Sequence, residues 1–162
     1  MRPTNPRVGQ LVGLTFAGVL LLLLELGASW LEPDTRLGKI LSVLEEHPTL
    51  LWKQRDSLDV TFFGGHVQTG EFGLRQSAAG PQPGRDLEVL ILGASPTFGW
   101  GVHDEETYAS RLQGALEAKL PGRTHVTNGA GIGYSSFQGL TFLKQHLERL
   151  APDIVTVSFV IN

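Results

Sequence analysis

The sequence predicts an α/β protein with a parallel β-sheet, preceded by an N-terminal transmembrane helix. First, Arg2 and Arg7 precede an uncharged run over residues 8–24, and a helix of about 20 apolar residues spans the core of a bilayer. Second, short apolar runs alternate with stretches of helical periodicity from residue 87 onward, which is typical of parallel sheets with crossover helices. Third, glycines and small polar residues follow the apolar runs, and parallel sheets bind ligands beyond these strand ends.

The N-terminal segment, residues 1–31, is interpreted as a single-pass signal anchor. Apolar residues resume after Glu25 and continue to Leu31, and the preceding arginines place the N-terminus in the cytoplasm. The rest of the chain is therefore expected on the extracytoplasmic side. A cleaved signal peptide is the alternative, although Leu26 fits an A-x-A-like cleavage site poorly. A core helix of a soluble protein would carry an apolar stripe, whereas residues 20–24 are all leucine.

Residues 32–86 are predicted to connect the anchor to the main domain. Apolar residues at helical spacing predict a juxtamembrane helix over residues 32–52, with Pro48 closing the pattern. Residues 58–75 combine short β-like pieces with several glycines. Residues 76–86 contain Ala-Ala-Gly-Pro-Gln-Pro-Gly, which is typical of a linker.

The main domain is predicted over residues 87–162. Its elements are expected in the order strand 87–92, helix 105–120, strand 125–128, a helix capped by Ser135 or Ser136, and strand 154–159. Asp104 is expected to cap the first helix, and Pro121-Gly122 to end it. The buried face of the second helix is predicted to comprise Leu140, Leu143, Leu147 and Leu150. This order predicts a parallel sheet with right-handed crossovers.

One hydroxyl, one glycine-rich turn and one carboxamide fall at successive strand ends. Ser95 follows the first strand, Gly129–Gly133 follow the second, and Asn162 ends the third. Acyl transfer needs such a set, because a serine attacks the ester carbonyl and preorganised donors stabilise the charge that develops on its oxygen. Ser95 is therefore the candidate nucleophile. The backbone N–H groups of Ser95 and Gly133 and the Asn162 amide are the candidate oxyanion hole.

The residues at these strand ends resemble the SGNH/GDSL hydrolase family. The matching stretches are Gly93-Ala94-Ser95 to Val102, Asn128 to Gly139 and Pro152 to Asn162, which are similar to its Gly-Asp-Ser block, its second block and the run into its Gly-x-Asn-Asp block. Gly133 would be the glycine of the second block. Upstream, Val67-Gln68-Thr69 and Phe72-Gly73-Leu74-Arg75 resemble a segment of membrane-anchored bacterial members.

The resemblance implies a three-layer α/β/α, flavodoxin-like fold that is incomplete at its C-terminus. It also implies hydrolysis of carboxylic esters through an acyl-serine intermediate, with Ser95 as the nucleophile. Extracytoplasmic members of this family often act on O-acyl groups of lipids or glycans, so an ester substrate of either class is expected.

Three features depart from the family pattern. Ala94 replaces the Asp of the first block, and Val160 replaces the Gly of the third. The family's catalytic Asp and His come from a later Asp-x-x-His motif, which these 162 residues do not contain. The chain is therefore expected to be a fragment or the product of a truncated gene. An inactive, membrane-anchored binding or assembly module with the same fold is the alternative function.

Composition argues against several other classes of function. The formal net charge of -3 comes without a basic patch, so nucleic-acid binding is not expected. The absence of cysteine excludes disulfides, thiolate metal sites and a cysteine nucleophile, and no His/Asp cluster has metal-ligand spacing. A dinucleotide cofactor would need G-x-G-x-x-G, but Tyr134 occupies the position of the third glycine. Neither a cofactor nor a metal is therefore predicted.

Overall fold

The computed structural model describes residues 6–31, 36–76 and 86–159. The chain divides into two compact units, residues 1–39 and residues 40–162. The segment from residue 40 therefore belongs to the same unit as the main domain predicted from residue 87. The predicted linker lies almost entirely outside the described residues.

The first unit contains α1, Pro6–Leu31, a helix of 26 residues. Its stretch Gly9–Ala28 is apolar and, at 20 residues, long enough to cross a membrane, since it corresponds to roughly 30 Å of helix. The side chains of Leu20–Leu24 are all exposed, which gives this part of the helix an apolar surface. Signal sequences near an N-terminus also pass this test of length and composition, so the anchor and signal-peptide interpretations both stand.

The predicted helix over residues 32–52 is wrong beyond Val43. Helix α2 covers Arg36–Val43, and the chain then forms an antiparallel hairpin of β1, Leu44–His47, and β2, Leu51–Gln54. The apolar spacing that predicted a longer helix therefore belongs to two different elements.

The His47 ring and burial of Leu50 explain why the helix gives way to a hairpin. Nδ1 of His47 accepts the backbone N–H groups of Thr49 and Leu50 at 3.4 and 3.2 Å, which satisfies donors in the turn. Leu50, with 1% of its surface exposed, packs into a core cluster with Leu90 and Leu92. Tertiary burial here outweighs local helical periodicity.

A second antiparallel hairpin follows. Strand β3, Asp59–Phe62, pairs with β4, Gly65–Gln68, and a 3₁₀ turn follows at Glu71–Gly73. Arg75 then forms isolated bridges with Thr69 and with Asn128. The segment before the predicted main domain is thus attached to the strands of that domain.

A three-stranded parallel sheet forms the centre of the second unit, as the sequence predicts. The elements from residue 87 are β5, Leu87–Gly93; α3, Ser95–Phe98; a 3₁₀ turn, Asp104–Glu106; α4, Tyr108–Glu117; β6, Thr124–Asn128; α5, Ser136–Leu150; and β7, Ile154–Ser158. The strand order is β6-β5-β7, and both pairings are parallel. The chain is therefore a mixed α/β protein with an apolar N-terminal helix.

Strand β5 is buried on both sides, as expected for the central strand of a parallel sheet. Val89 and Ile91 pack with Ala109 of α4, whereas Leu90 and Leu92 pack with Phe142 of α5. Because successive side chains of a strand point to opposite faces, α4 and α5 contact opposite faces of the sheet.

Helix α4 begins later than predicted. Its N-terminal cap is Thr107, whose hydroxyl accepts the backbone N–H of Ser110 at 3.2 Å. Asp104, the predicted cap, lies in the preceding 3₁₀ turn, and its carboxylate accepts hydrogen bonds from Arg75 Nε at 2.7 Å and from the Gln68 backbone at 3.1 Å. The cap is therefore displaced because long-range partners occupy the Asp104 side chain.

The predicted buried face of α5 is partly wrong. Leu140 and Leu147 are 52% and 48% exposed, and the fully buried positions are Gln138, Gly139, Phe142 and Leu150. Helix α5 is thus rotated about its axis relative to the prediction. The Phe159 ring accounts for this, because it packs directly against Gly139, where a Cβ would lie only 2.2 Å from the ring. The sequence offers two neighbouring helical stripes, and the close approach at Gly139 selects the one without Leu140.

The rotation of α5 gives a direct test. Phe142→Ala should lower the free energy of unfolding by about 3–5 kcal/mol, because it removes a buried ring, whereas Leu140→Ala should change it by about 0.5 kcal/mol or less. Urea denaturation of the detergent-solubilised chain measures both. Equal losses for the two variants would show that the leucine stripe faces the sheet.

Candidate active site

The carboxyl ends of the three parallel strands carry the candidate site. Gly93 at the end of β5 is in register with Ser158 at the end of β7, and the Ala94 N–H donates to the Ser158 carbonyl at 3.3 Å. On the other side, the Gly131 N–H donates to the Gly93 carbonyl at 3.0 Å. The loops that follow the three strands therefore meet around Gly93.

Ser95 is half-buried and begins α3 immediately after β5. Its carbonyl accepts the N–H groups of Gly99 and Trp100 at 3.0 and 3.1 Å. Gly99 closes this four-residue helix in the left-handed region, with φ 93°, which glycine adopts without steric cost. The Ser95 hydroxyl makes no hydrogen bond with any residue that the structure describes.

Ala94, which immediately precedes Ser95, is fully buried. Its carbonyl accepts the Phe98 N–H at 2.9 Å, and its own N–H is bound by Ser158. Backbone hydrogen bonds on both sides therefore hold the turn in front of Ser95 without a side chain at position 94.

Gly133 lies in the loop after β6 and is exposed, with φ 71°. The preceding Gly131 is required by Tyr134, whose ring would lie 2.5 Å from a Cβ at that position. Tyr134 is itself buried, and burial raises the pKa of its hydroxyl well above the ordinary value. The loop is thus packed against an uncharged phenol, with Gly133 at its surface.

Trp52 supports this loop and was not predicted from the sequence. Its indole Nε1–H donates to the Ile132 carbonyl at 2.9 Å, and its ring would lie 3.4 Å from a Cβ at Gly133. Trp52 belongs to β2, which the sequence pattern assigned to a helix. No local signal connects it to a loop 80 residues away.

The predicted site residues are brought together in part. Ser95 and Gly133 lie in adjacent loops that are joined by the hydrogen bond between Gly131 and Gly93. Asn162, the predicted carboxamide donor, lies outside the described residues. The strand that leads to it, β7, ends beside Gly93.

The five histidines of the chain have partners other than Ser95 within the described residues. His47 holds the β1–β2 turn, and Nδ1 of His103 accepts the backbone N–H of His66 at 3.2 Å. His125 is buried near the amino end of β6, where Nδ1 lies 2.8 Å from Glu88 Oε2.

His146 lies against the rings of Phe72 and Phe142, and the distances between ring centroids are 4.2 and 4.5 Å. Burial, and then the nearby His47, Arg149 and Lys53, lower the pKa of His146.

His66 bridges two carboxylates at the β3–β4 hairpin. Its Nε2 lies 2.8 Å from Asp59 Oδ1, and its Nδ1 lies 3.3 Å from Asp104 Oδ2. The hydrogen bond to Asp59 is the largest cause that raises the pKa of His66, and the same bond lowers the pKa of Asp59. No group of three or more histidine and carboxylate residues in the described part of the chain is arranged to hold a metal ion.

A cavity of about 350 Å³ lies beside α3 on the side of α4 and β7. Its lining combines aliphatic and hydroxyl groups: Ile91, Pro96, Thr97, Tyr108, Thr156, Val157 and Ser158. Pro96 and Thr97 directly follow Ser95, so this space adjoins the serine-bearing turn.

Comparison with known proteins adds no family. No protein-family model matches the chain, and no curated protein matches it. Within the described residues, the Ser95 hydroxyl and a glycine-rich loop meet at the carboxyl edge of a parallel sheet.

The bridge between His66 and Asp59 should be visible in a titration. Asp59→Asn should lower the pKa of His66 toward its ordinary value of 6.5, because it removes the main hydrogen-bond acceptor of the protonated ring. NMR titration of the ring protons measures this shift. Asp86→Asn, which removes an exposed carboxylate paired with Arg123, is the matched control and should leave the titration unchanged.

The sign of the effect on stability follows from the same shift. The pKa of His66 is raised above 6.5 in the folded chain, so protonation of the ring stabilises the fold at pH values below 6.5, and this contribution is lost as the pH rises through the folded-state pKa. An unchanged His66 titration in Asp59→Asn would contradict the bridge.

Proposed function

We propose that this chain is a membrane-anchored serine hydrolase of the SGNH/GDSL type that acts on carboxylic esters, with Ser95 as its nucleophile. The observation that carries the proposal is the hydrogen bond of 3.0 Å from the Gly131 N–H to the Gly93 carbonyl. It joins the serine-bearing turn to the glycine-rich loop at one edge of the sheet. Nucleophile and oxyanion donors must meet in this way for acyl transfer.

The proposed reaction is a double displacement. The Ser95 oxygen forms a bond to the ester carbonyl carbon while its proton passes to a base, and the tetrahedral intermediate then expels the alcohol, which takes up the proton. Water attacks the acyl-serine in the same manner and releases the acid. The N–H groups of Ser95 and Gly133 and the Asn162 amide would stabilise the oxyanion, and losing one such donor commonly costs about 100-fold in rate.

The resemblance assigns the base to a histidine of an Asp-x-x-His motif, which these 162 residues do not contain. The five histidines present have other partners, as described above, so none of them is assigned this role. The cavity beside Pro96 and Thr97 supports a substrate with an aliphatic acyl part, since its lining mixes apolar and hydroxyl groups. O-acyl groups of lipids or glycans are the proposed substrate class.

The proposed fold is the three-layer α/β/α arrangement of this family. Packing of α4 and α5 against opposite faces of β5 supports it. We place the N-terminus in the cytoplasm and the domain from residue 40 on the extracytoplasmic side. This orientation is supported by Arg2 and Arg7 in front of the apolar helix.

An anchored binding or assembly module without activity is the second candidate. One observation favours it: within the described residues, no histidine or carboxylate is hydrogen-bonded to the Ser95 hydroxyl. The alanine at position 94 and the valine at position 160 also depart from the family's pattern. Sequencing past codon 162 separates the candidates, because an open frame with an Asp-x-x-His motif favours the esterase and an immediate stop favours the module.

The nucleophile is tested by covalent labelling. The polypeptide encoded by the uninterrupted reading frame should react with an alkyl fluorophosphonate at Ser95, identified by peptide mass spectrometry, because only an activated hydroxyl attacks this reagent at an appreciable rate. Ser95→Ala should abolish the label and the hydrolysis of p-nitrophenyl acetate.

Ser136→Ala is the matched control, since it removes an exposed hydroxyl from the start of α5. This variant should be labelled as fast as the same polypeptide without the substitution. A folded protein that is not labelled at Ser95, or a label that persists in Ser95→Ala, would overturn the proposed nucleophile.

A further inference from the structure

We infer that Arg75 is a positioning residue that fixes the turn carrying Ser95, a role that rests on the proposed function of that serine. Arg75 belongs to the segment between the second hairpin and the parallel sheet. Its side chain is 0% exposed, so it touches neither solvent nor substrate. Its effect on Ser95 has to pass through the groups that it binds.

The guanidinium of Arg75 uses all three of its nitrogens. Nε donates to Asp104 Oδ1 at 2.7 Å. Nη1 donates to the carbonyls of Phe98, at 3.0 Å, and Gly99, and Nη2 donates to those of His66 and Val102 at 2.9 and 2.6 Å. A guanidinium has five N–H groups, and these five contacts match that number.

Three of the four carbonyls belong to the turn that begins at Ser95 or to the loop that follows it. Phe98 ends α3, Gly99 caps it, and Val102 lies in the same loop. The last carbonyls of a helix have no partner within the helix, and a helix of four residues has almost no others. Arg75 supplies these partners. The link to the nucleophile is then one step, because the Gly99 N–H is bound to the Ser95 carbonyl at 3.0 Å.

Asn128 acts on the same end of α3. Its Nδ2 lies 3.4 Å from the carbonyls of both Thr97 and Phe98, and its Oδ1 accepts the Ala130 N–H at 3.2 Å. Asn128 also forms a backbone bridge with Arg75. Two buried side chains from different elements thus converge on the carbonyls of one turn, and Asn128 connects that turn to the glycine-rich loop.

Charge and space are both matched to an arginine. The Asp104 carboxylate compensates the buried positive charge, which would otherwise be strongly unfavourable. The guanidinium lies 5.1 Å from the centre of the Phe98 ring. A Cβ at Gly99 would lie 2.7 Å from Nη1, so the glycine that caps α3 also makes room for the arginine. A lysine has no planar fork and cannot reproduce this set of bonds.

Amide hydrogen exchange tests, without depending on activity, whether Arg75 holds the turn. We call the hydrogen bonds from Arg75 to the carbonyls of Phe98, Gly99 and Val102 the clamp. In the unmodified chain, the amides of Gly99 and Trp100 should exchange as slowly as those of β5, although they belong to a four-residue helix. In Arg75→Lys, these two amides should exchange about 10- to 100-fold faster relative to β5, because carbonyls around them lose their partners. Arg123→Lys, at an exposed ion pair, is the control. It should not change the exchange rates of Gly99 and Trp100 relative to β5.

Labelling of Ser95 tests the consequence for chemistry. In the polypeptide encoded by the uninterrupted reading frame, Arg75→Lys should lower the maximal rate of fluorophosphonate labelling by about 100-fold, as expected for a displaced nucleophile. The reagent concentration that gives half of the maximal rate should stay within a factor of about two. A general loss of stability would instead accelerate exchange in all strands together and would leave the labelling rate of the folded fraction unchanged.

Each outcome decides a separate point. Rapid exchange of Gly99 and Trp100 in the unmodified chain overturns the clamp, and this measurement holds even if Arg75→Lys does not fold. Labelling of Arg75→Lys at the unmodified rate overturns its positioning role. If the polypeptide encoded by the uninterrupted reading frame folds but is not labelled, the proposed esterase function is contradicted, and the exchange rates of Gly99 and Trp100 relative to β5 alone decide whether Arg75 holds the turn.

Discussion

The structure depends on the parallel pairing of β5 with β6 on one side and β7 on the other. This pairing brings three chain segments that are far apart in sequence to one edge of the sheet. It also buries alternate residues of β5 against two different helices, so that most of the described core forms around one strand. These hydrogen bonds fix the relative positions of the loops at the carboxyl edge, and the proposed chemistry depends on those positions.

Buried side chains from other segments of the second unit also bind the backbone of these loops. Arg75 and Asn128 bind the carbonyls that a four-residue helix leaves free, and Trp52 binds the Ile132 carbonyl in the glycine-rich loop. Trp52 and Arg75 come from the segment before β5, which the sequence pattern treated as a connector. The hairpins and the parallel sheet therefore form one unit in which the first part supports the loops of the second.

Much of the parallel sheet could be predicted from the sequence, because short apolar runs and turn residues are local signals. The strand bounds to within one residue, and a cap of α5 at Ser135 or Ser136, follow from such signals. The hairpin at Leu50, the rotation of α5 and the burial of Arg75 could not be predicted in this way. Each depends on a partner distant in sequence: the core around Leu90, the ring of Phe159 and the carbonyls after Ser95. Periodicity and capping preferences contain no information about such partners.

The convergence of the loops at Gly93 is tested most directly by scalar coupling across hydrogen bonds in NMR. The Gly131 amide nitrogen should couple to the carbonyl carbon of Gly93, and the Ala94 nitrogen to that of Ser158, because these pairs are bonded at 3.0 and 3.3 Å. Coupling of either nitrogen to a different carbonyl would mean that the loops do not meet at this edge. The esterase proposal would then lose the arrangement on which it rests.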